Sequence, residues 1–233
     1  MDDKSNESTA VPDLLRTLAL TGGIVTLAAM GCQRRIAREI IEADAPYVLA
    51  RKGNQGRAHQ EIQSYLDAAI SGADCALAHG EHLEKGHGRI ETRRYWQSTQ
   101  IDWFADRGKW EGLRSVGLVE SVRDLHGQIS TARRYYLSSL ELDVEKFARA
   151  VRSHWGIENQ LHWVLDVVFG EDQSRARTGH AAENLATLRR WALNLLKADT
   201  RKAKRSIKGR IKAAGWDHNY PLHLLAPNPS LDA

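Results

Sequence analysis

Between Ser153 and Asp166 the chain reads Ser-His-Trp-Gly-Ile-Glu-Asn-Gln-Leu-His-Trp-Val-Leu-Asp, with polar groups spaced through an apolar run. His154, Glu158, His162 and Asp166 follow one another at i+4, so on an α-helix they would stand in one near-vertical row, with Asn159 beside Glu158. Trp155 and Trp163 each lie one position after a histidine, and Ile157, Leu161, Val164 and Leu165 supply apolar neighbours. A carboxylate held on a packed helix is one ligand of the kind that a divalent-metal nucleotidyl-transfer centre requires. One carboxylate does not make such a centre. Three other chemistries share the same residues. Glu158 could be a salt-bridged structural residue. His154, Glu158 and His162 could hold zinc, although the His-Glu-x-x-His spacing and any cysteine ligand are lacking. All four residues of the row could form a rearranged nuclease site.

A carboxylate on such a helix needs a frame. Pro12 to Leu20 is expected as a short helix, and Gly22-Gly23 turns the chain into the partly β-branched run Ile24 to Met30, the pattern of a buried strand. Gln33 to Ala43 carries Ile36, Ala37, Ile40 and Ile41 at helical period, and Pro46 to Ala50 reads as a second strand. This strand–helix–strand order predicts a parallel unit with a right-handed crossover. A long helix from about Ala58 to Ala78 follows. From about Gly80 to Leu142 the chain is β-rich, over Arg89 to Ser98, Val116 to Leu125 and Ile129 to Leu140, with Gly127 at a turn. Beyond Asp143 the period is helical again over 144–168, 181–198 and 201–214. The tail, with Pro221, Pro227 and Pro229, is expected to fray.

At 233 residues and 42% hydrophobic the chain can bury a sizeable core. The net charge of +4 permits an anionic partner. Its basic residues crowd toward the end: Lys197, Arg201, Lys202, Lys204, Arg205, Lys208, Arg210 and Lys212 are opposed in that stretch only by Asp199. Such a helix is either a solvated face or a polyanion contact. Two further segments carry the same choice. The turn Lys52-Gly53-Asn54-Gln55-Gly56 could offer polar groups to phosphate but is no Walker motif. Arg89, Arg93, Arg94, Tyr95 and Trp96 interleave guanidinium and aromatic groups, which can hold phosphates and stack a splayed base. Cys32 and Cys75 lie far apart, giving neither a disulfide framework nor a metal-ligand pair, as suits a reducing cytoplasm. The apolar stretch from Leu18 to Met30 is too short to cross a bilayer, and acids precede it.

Three segments taken together resemble one family. They are Ile24 to Gln33, Tyr47 to Gln55, and His154 to Asn159 with Leu161 to Val167. The ISAs-type branch of bacterial insertion-sequence transposases has similar segments. Lys4 to Glu7, Gly88 to Arg93, Tyr135 to Leu140, Phe169 with Glu171-Asp172, and Glu183 to Leu185 extend the resemblance over nearly the whole chain. It implies an α/β, RNase H-like catalytic fold. Residues 1–79 would belong to its core, 80–142 to a β-rich insertion, 143–214 to C-terminal helices carrying the triad glutamate, and 215–233 to a tail. It also implies cleavage and strand transfer of DNA by an Asp-Asp-Glu triad. Such a triad holds two Mg²⁺ or Mn²⁺ ions about 3.5–4 Å apart.

Carried over by position, Glu158 matches the triad glutamate, with His154, Asn159, His162 and Asp166 as its supporting neighbours. The family's second aspartate falls where this chain has Ala28, and its first lies upstream of the segment that begins at Lys4. The expectation is therefore a truncated, catalytically defective copy, since one glutamate cannot neutralise two dications. An exposed sheet edge would make the isolated chain marginal or aggregation-prone. DNA binding would survive through Lys52, Asn54, Gln55, Arg89, Arg93, Trp96, Lys204, Arg205 and Lys208. The rival expectation is a non-enzymatic fragment that binds insertion-sequence ends, or pairs with full-length transposase or a second copy of itself, and regulates transposition.

Overall fold

A computed structural model describes residues 7–53, 56–72, 77–86, 89–201 and 204–226, without the side chains of 7–10, 86, 89 and 159. The chain divides into two compact units, Met1–His154 and Trp155–Ala233.

The first unit is built on one mixed sheet. Helix α1 (Glu7–Thr17) leads to strand β1 (Val25–Leu27), helix α2 (Arg34–Glu42), strand β2 (Tyr47–Arg51) and helix α3 (Arg57–Ile70). Strands β3 (Ala78–Gly86), β4 (Arg89–Ser98), β5 (Ser115–Leu125) and β6 (Gln128–Ser138) follow, and then helix α4 (Val144–Ile157). The strand order is β1-β2-β6-β5-β4-β3. The expected β–α–β unit is present, with β1 and β2 parallel through Val25↔Tyr47 and Leu27↔Leu49. Strand β2 then pairs antiparallel with β6 through Val48↔Ser138 and Arg51↔Tyr135. The β-rich segment thus continues the same sheet as β1 and β2 rather than forming one of its own.

Alternation along the strands assigns the two faces. Leu49, Trp96, Val116, Leu118, Tyr135 and Leu137 share a core with Ile36 and Ile40 of α2 and Ile62 and Leu66 of α3. The opposite face receives α4. A Cβ built on Gly117 would stand 2.5 Å from the Phe147 ring, and Tyr136 meets that ring edge-on at 5.5 Å. Glycine at 117 is what lets α4 lie this close. The strong amphipathicity of α2, with Ile36, Ala37 and Ile40 buried, suffices to seat it on the sheet. The β5–β6 hairpin closes through His126 (φ 53°) and Gly127 (φ 85°), the two left-handed positions that a type I′ turn needs. Asp124 Oδ1 accepts from the Gly127 N–H at 2.8 Å.

Several sequence expectations need correction. Helix α3 stops at Ile70 before Gly72 (φ 97°), and Ala78 begins strand β3 instead of ending a helix. The charged pattern of β3 hides it, but charge is what an edge strand carries to discourage pairing with another chain. The expected helix over 144–168 is interrupted: after α4 the backbone takes π geometry over Glu158–His162 and Val164–Val168.

In the second unit, Val164 and Leu165 pack with Leu193 of helix α5 (Ala181–Ala198). Leu196, Ala213 and Tyr220 form a second cluster joining α5 to helices α6 (Ile207–Trp216) and α7 (Asn219–Leu225). The expected helix 201–214 therefore starts six residues later, at Ile207, where Ser206 caps it. The chain at 219–225 forms α7 rather than fraying. Pro221 lies in its first turn, where a missing N–H costs nothing.

Candidate active site and nucleic-acid interface

Strand β1 presents two faces. Val25 and Leu27 turn to the core shared with α2 and α3, so Thr26 turns to the face covered by α4. Thr26 Oγ1 lies 3.2 Å from His154 Nδ1, in the last turn of that helix. Ala28 continues the extended backbone (φ −66°, ψ 172°), which places its Cβ on the same face as Thr26. The residue is exposed. Position 28 thus stands in the open at the end of β1, where a longer side chain would meet no core packing. The alanine supplies no donor atom there.

Glu158 is half-buried at the start of the first π segment, His162 is exposed and Asp166 half-buried. The side chain of Asn159 lies outside the described residues. The row from His154 to Asp166 thus begins in the last turn of α4 and continues on π backbone rather than on one regular α-helix. Among the described residues no three His, Cys, Asp or Glu side chains converge as metal ligands. With a methyl group at 28 and that donor set, the residues present do not fit a two-metal centre.

The residues expected to contact DNA separate into two groups. Arg93 is only 12% exposed and is bound to Glu91 at 2.7 Å and Glu84 at 3.0 Å. Burial pushes the Glu84 carboxyl up, but the bonds and charge of Arg93 and Arg152 outweigh it and hold it below its ordinary value. Trp96 is 9% exposed, inside the core against α2 and α3. One is committed to ion pairs within the sheet, the other to packing. The backbone of Arg89 pairs with Leu125, and its side chain lies outside the described residues, as do Asn54 and Gln55. Lys52 is exposed just past the end of β2.

Lys204 and Arg205 are exposed on the turn before α6, and Lys208 and Lys212 are exposed on α6 itself. Arg210, expected among the cations, points inward. Its guanidinium donates to the carbonyls of Leu196, Asp199 (2.9 Å) and Arg205 (3.1 Å). The Asp199 carboxylate in turn accepts from Arg201 Nε at 2.7 Å and Tyr220 Oη at 2.8 Å. This buried polar staple was not foreseen. Only the lone acid among eight cations signalled it. Thr26 was missed too, though its place two residues before position 28 marks it once that position is singled out.

The chain matches the family described as Transposase DDE domain over residues 2–195. It is 39% identical to YncI of Escherichia coli O157:H7, named as a transposase, covering 96% of this chain and 58% of that one. It is 37% identical to YhhI of E. coli K12, named as an H repeat-associated transposase, covering 97% and 60% respectively. The K12 protein YbfL is 38% identical over 97% of this chain and 60% of its own length. The chain thus spans about three fifths of the length of these curated relatives. It belongs to the insertion-sequence transposases with a DDE domain. No helix among the described residues is long and apolar enough to cross a membrane.

Proposed function

We propose that this chain binds insertion-sequence DNA in the cytoplasm without cutting it, because the carboxylate that should follow β1 is replaced by Ala28. The exposed, extended alanine on the α4 face is the observation that carries this reading. In this view 1–79 and 143–214 belong to an RNase H-like catalytic arrangement, and 80–142 is inserted between them. Glu158 keeps the triad position, with His154, Asn159, His162 and Asp166 around it. Mg²⁺ or Mn²⁺ is the metal that the family uses. Binding falls to Lys204, Arg205, Lys208 and Lys52, which are exposed, rather than to Arg93 and Trp96, which are not. Full-length transposase or a second copy of the chain is the protein partner that such a non-cutting form would regulate.

The test incubates the purified chain with supercoiled plasmid carrying insertion-sequence ends, in Mg²⁺ and in Mn²⁺. Binding without nicking is expected. Metal-dependent nicking that disappears in Glu158→Ala would overturn the proposal.

A further inference from the structure

The outer face of α6 carries a feature that phosphate contact alone does not use. Its exposed positions are Lys208, Lys212, Gly215 and Trp216, so Lys208, Lys212 and Trp216 recur at i, i+4 and i+8. At 1.5 Å per residue the row runs about 12 Å along the helix. The opposite face is fixed: Ala213 is buried against Leu196 and Tyr220, and Arg210 is tied to three carbonyls. The Ser206 Oγ accepts from the Gly209 N–H at 3.2 Å and sets where the helix begins. The lysine row therefore cannot rotate inward.

Charge and shape on this face complement one ligand class. The helix contains no acid. The nearest upstream carboxylate, Asp199, is buried and occupied by Arg201 and Tyr220, and Asp217, just past the end of α6, accepts from the Asn219 N–H at 3.1 Å. Lys204 and Arg205 extend the positive surface beyond the N-terminus. At the other end Trp216 is 80% exposed, an indole that packing does not explain. Cations that track a backbone and end on an open aromatic ring are the elements with which proteins hold unstacked nucleic acid. In continuous duplex the base faces are covered by their neighbours, so the indole has nothing to stack on.

We propose that Lys208 and Lys212 grip the DNA backbone while Trp216 stacks on an unstacked base, giving this chain a preference for DNA with a single-stranded end over continuous duplex. The inference rests on the reading above that the chain binds DNA, and adds the form of DNA it selects.

Fluorescence anisotropy of the full chain tests it, with a blunt duplex and with the same duplex carrying a 3′ single-stranded overhang, over a range of salt. The parent should bind the overhang about tenfold more tightly, a stacking contribution of about 1.4 kcal/mol. Trp216→Leu, which keeps helix and apolarity, should abolish that preference and leave blunt-duplex affinity unchanged. Lys208→Gln with Lys212→Gln should weaken both and reduce the salt slope by about two. Circular dichroism confirms that each variant is folded. If the parent binds DNA but neither variant alters preference or slope, this inference alone falls. If the parent binds no DNA at low salt, the proposed function falls with it. Unchanged DNA binding with lost self-association in Trp216→Leu would make Trp216, with exposed Leu222 and Leu225, a protein contact and overturn the proposal.

Discussion

Thr26 Oγ1 and His154 Nδ1 stand 3.2 Å apart although 128 residues separate them. The contact joins β1, at the sheet's edge, to the last turn of the helix that delivers Glu158 one turn later. It also marks which face of β1 looks toward α4, and so which way position 28 faces. Thr26→Val keeps the side-chain shape and removes the hydroxyl. A loss of about 1 kcal/mol in urea unfolding is expected, with faster amide exchange in the last turn of α4. Exchange there indistinguishable from the parent would show that other contacts hold the helix end.

Gly117 permits the approach of Phe147. Gly117→Ala should overpack this contact and destabilise the protein by about 1–3 kcal/mol. Phe147→Leu in the same chain should recover part of that loss, and strict additivity of the two substitutions would refute the assignment.

Arg93 sits between two carboxylates, and the Glu91 side chain is only 5% exposed. Arg93→Ala leaves the buried Glu91 with only Arg123, at 3.6 Å, while Glu84 keeps Arg152, and should cost about 3 kcal/mol. The DNA affinity of the folded fraction should be unchanged, because the guanidinium is not on offer to phosphate. A marked fall in affinity without a fall in stability would reverse that placement.

The buried Asp199 gives the second unit a dependence on acid. Burial raises its carboxyl, yet the bonds from Arg201 and Tyr220 prevail and hold it below the ordinary 3.8. A depressed folded value means that the stabilisation is complete above pH 3.8 and is lost as pH falls through the folded value. Acid titration followed by helical circular dichroism should show this loss. Asp199→Asn should be less stable than the parent at pH 7 and approach it at low pH. A constant gap between the two curves would count against the coupling.

Much of the frame was legible because its signals are local. Helix α5 begins and ends at Ala181 and Ala198 as its period indicates, β4 spans Arg89–Ser98, and β1-α2-β2 form the parallel unit. Strand β3 was illegible because its charges suit an edge that only the assembled sheet reveals. Arg93 and Trp96 misled for a related reason. A strand alternating charge and aromatic residues does not disclose that both its faces will be covered, one by α4 and the other by α2 and α3. The π segments were hidden because spacing alone cannot register a change in hydrogen-bond ladder. At the candidate site, Glu158 and Ala28 could be aligned by resemblance, while Thr26 and the cluster around Asp199 depend on partners distant in sequence.

The position of β2 between β1 and β6 bears on how the chain is made. The Tyr47 N–H donates to Ser139 Oγ at 2.7 Å, 92 residues later, and the whole inner edge of β2 awaits β6. At ribosomal rates of about 5–20 residues per second, that edge emerges roughly 5–20 s before its partner. Its buried Tyr47, Val48 and Leu49 are meanwhile exposed to other nascent chains. The yield of folded protein then depends on what covers that edge during synthesis as well as on the stability of the finished sheet.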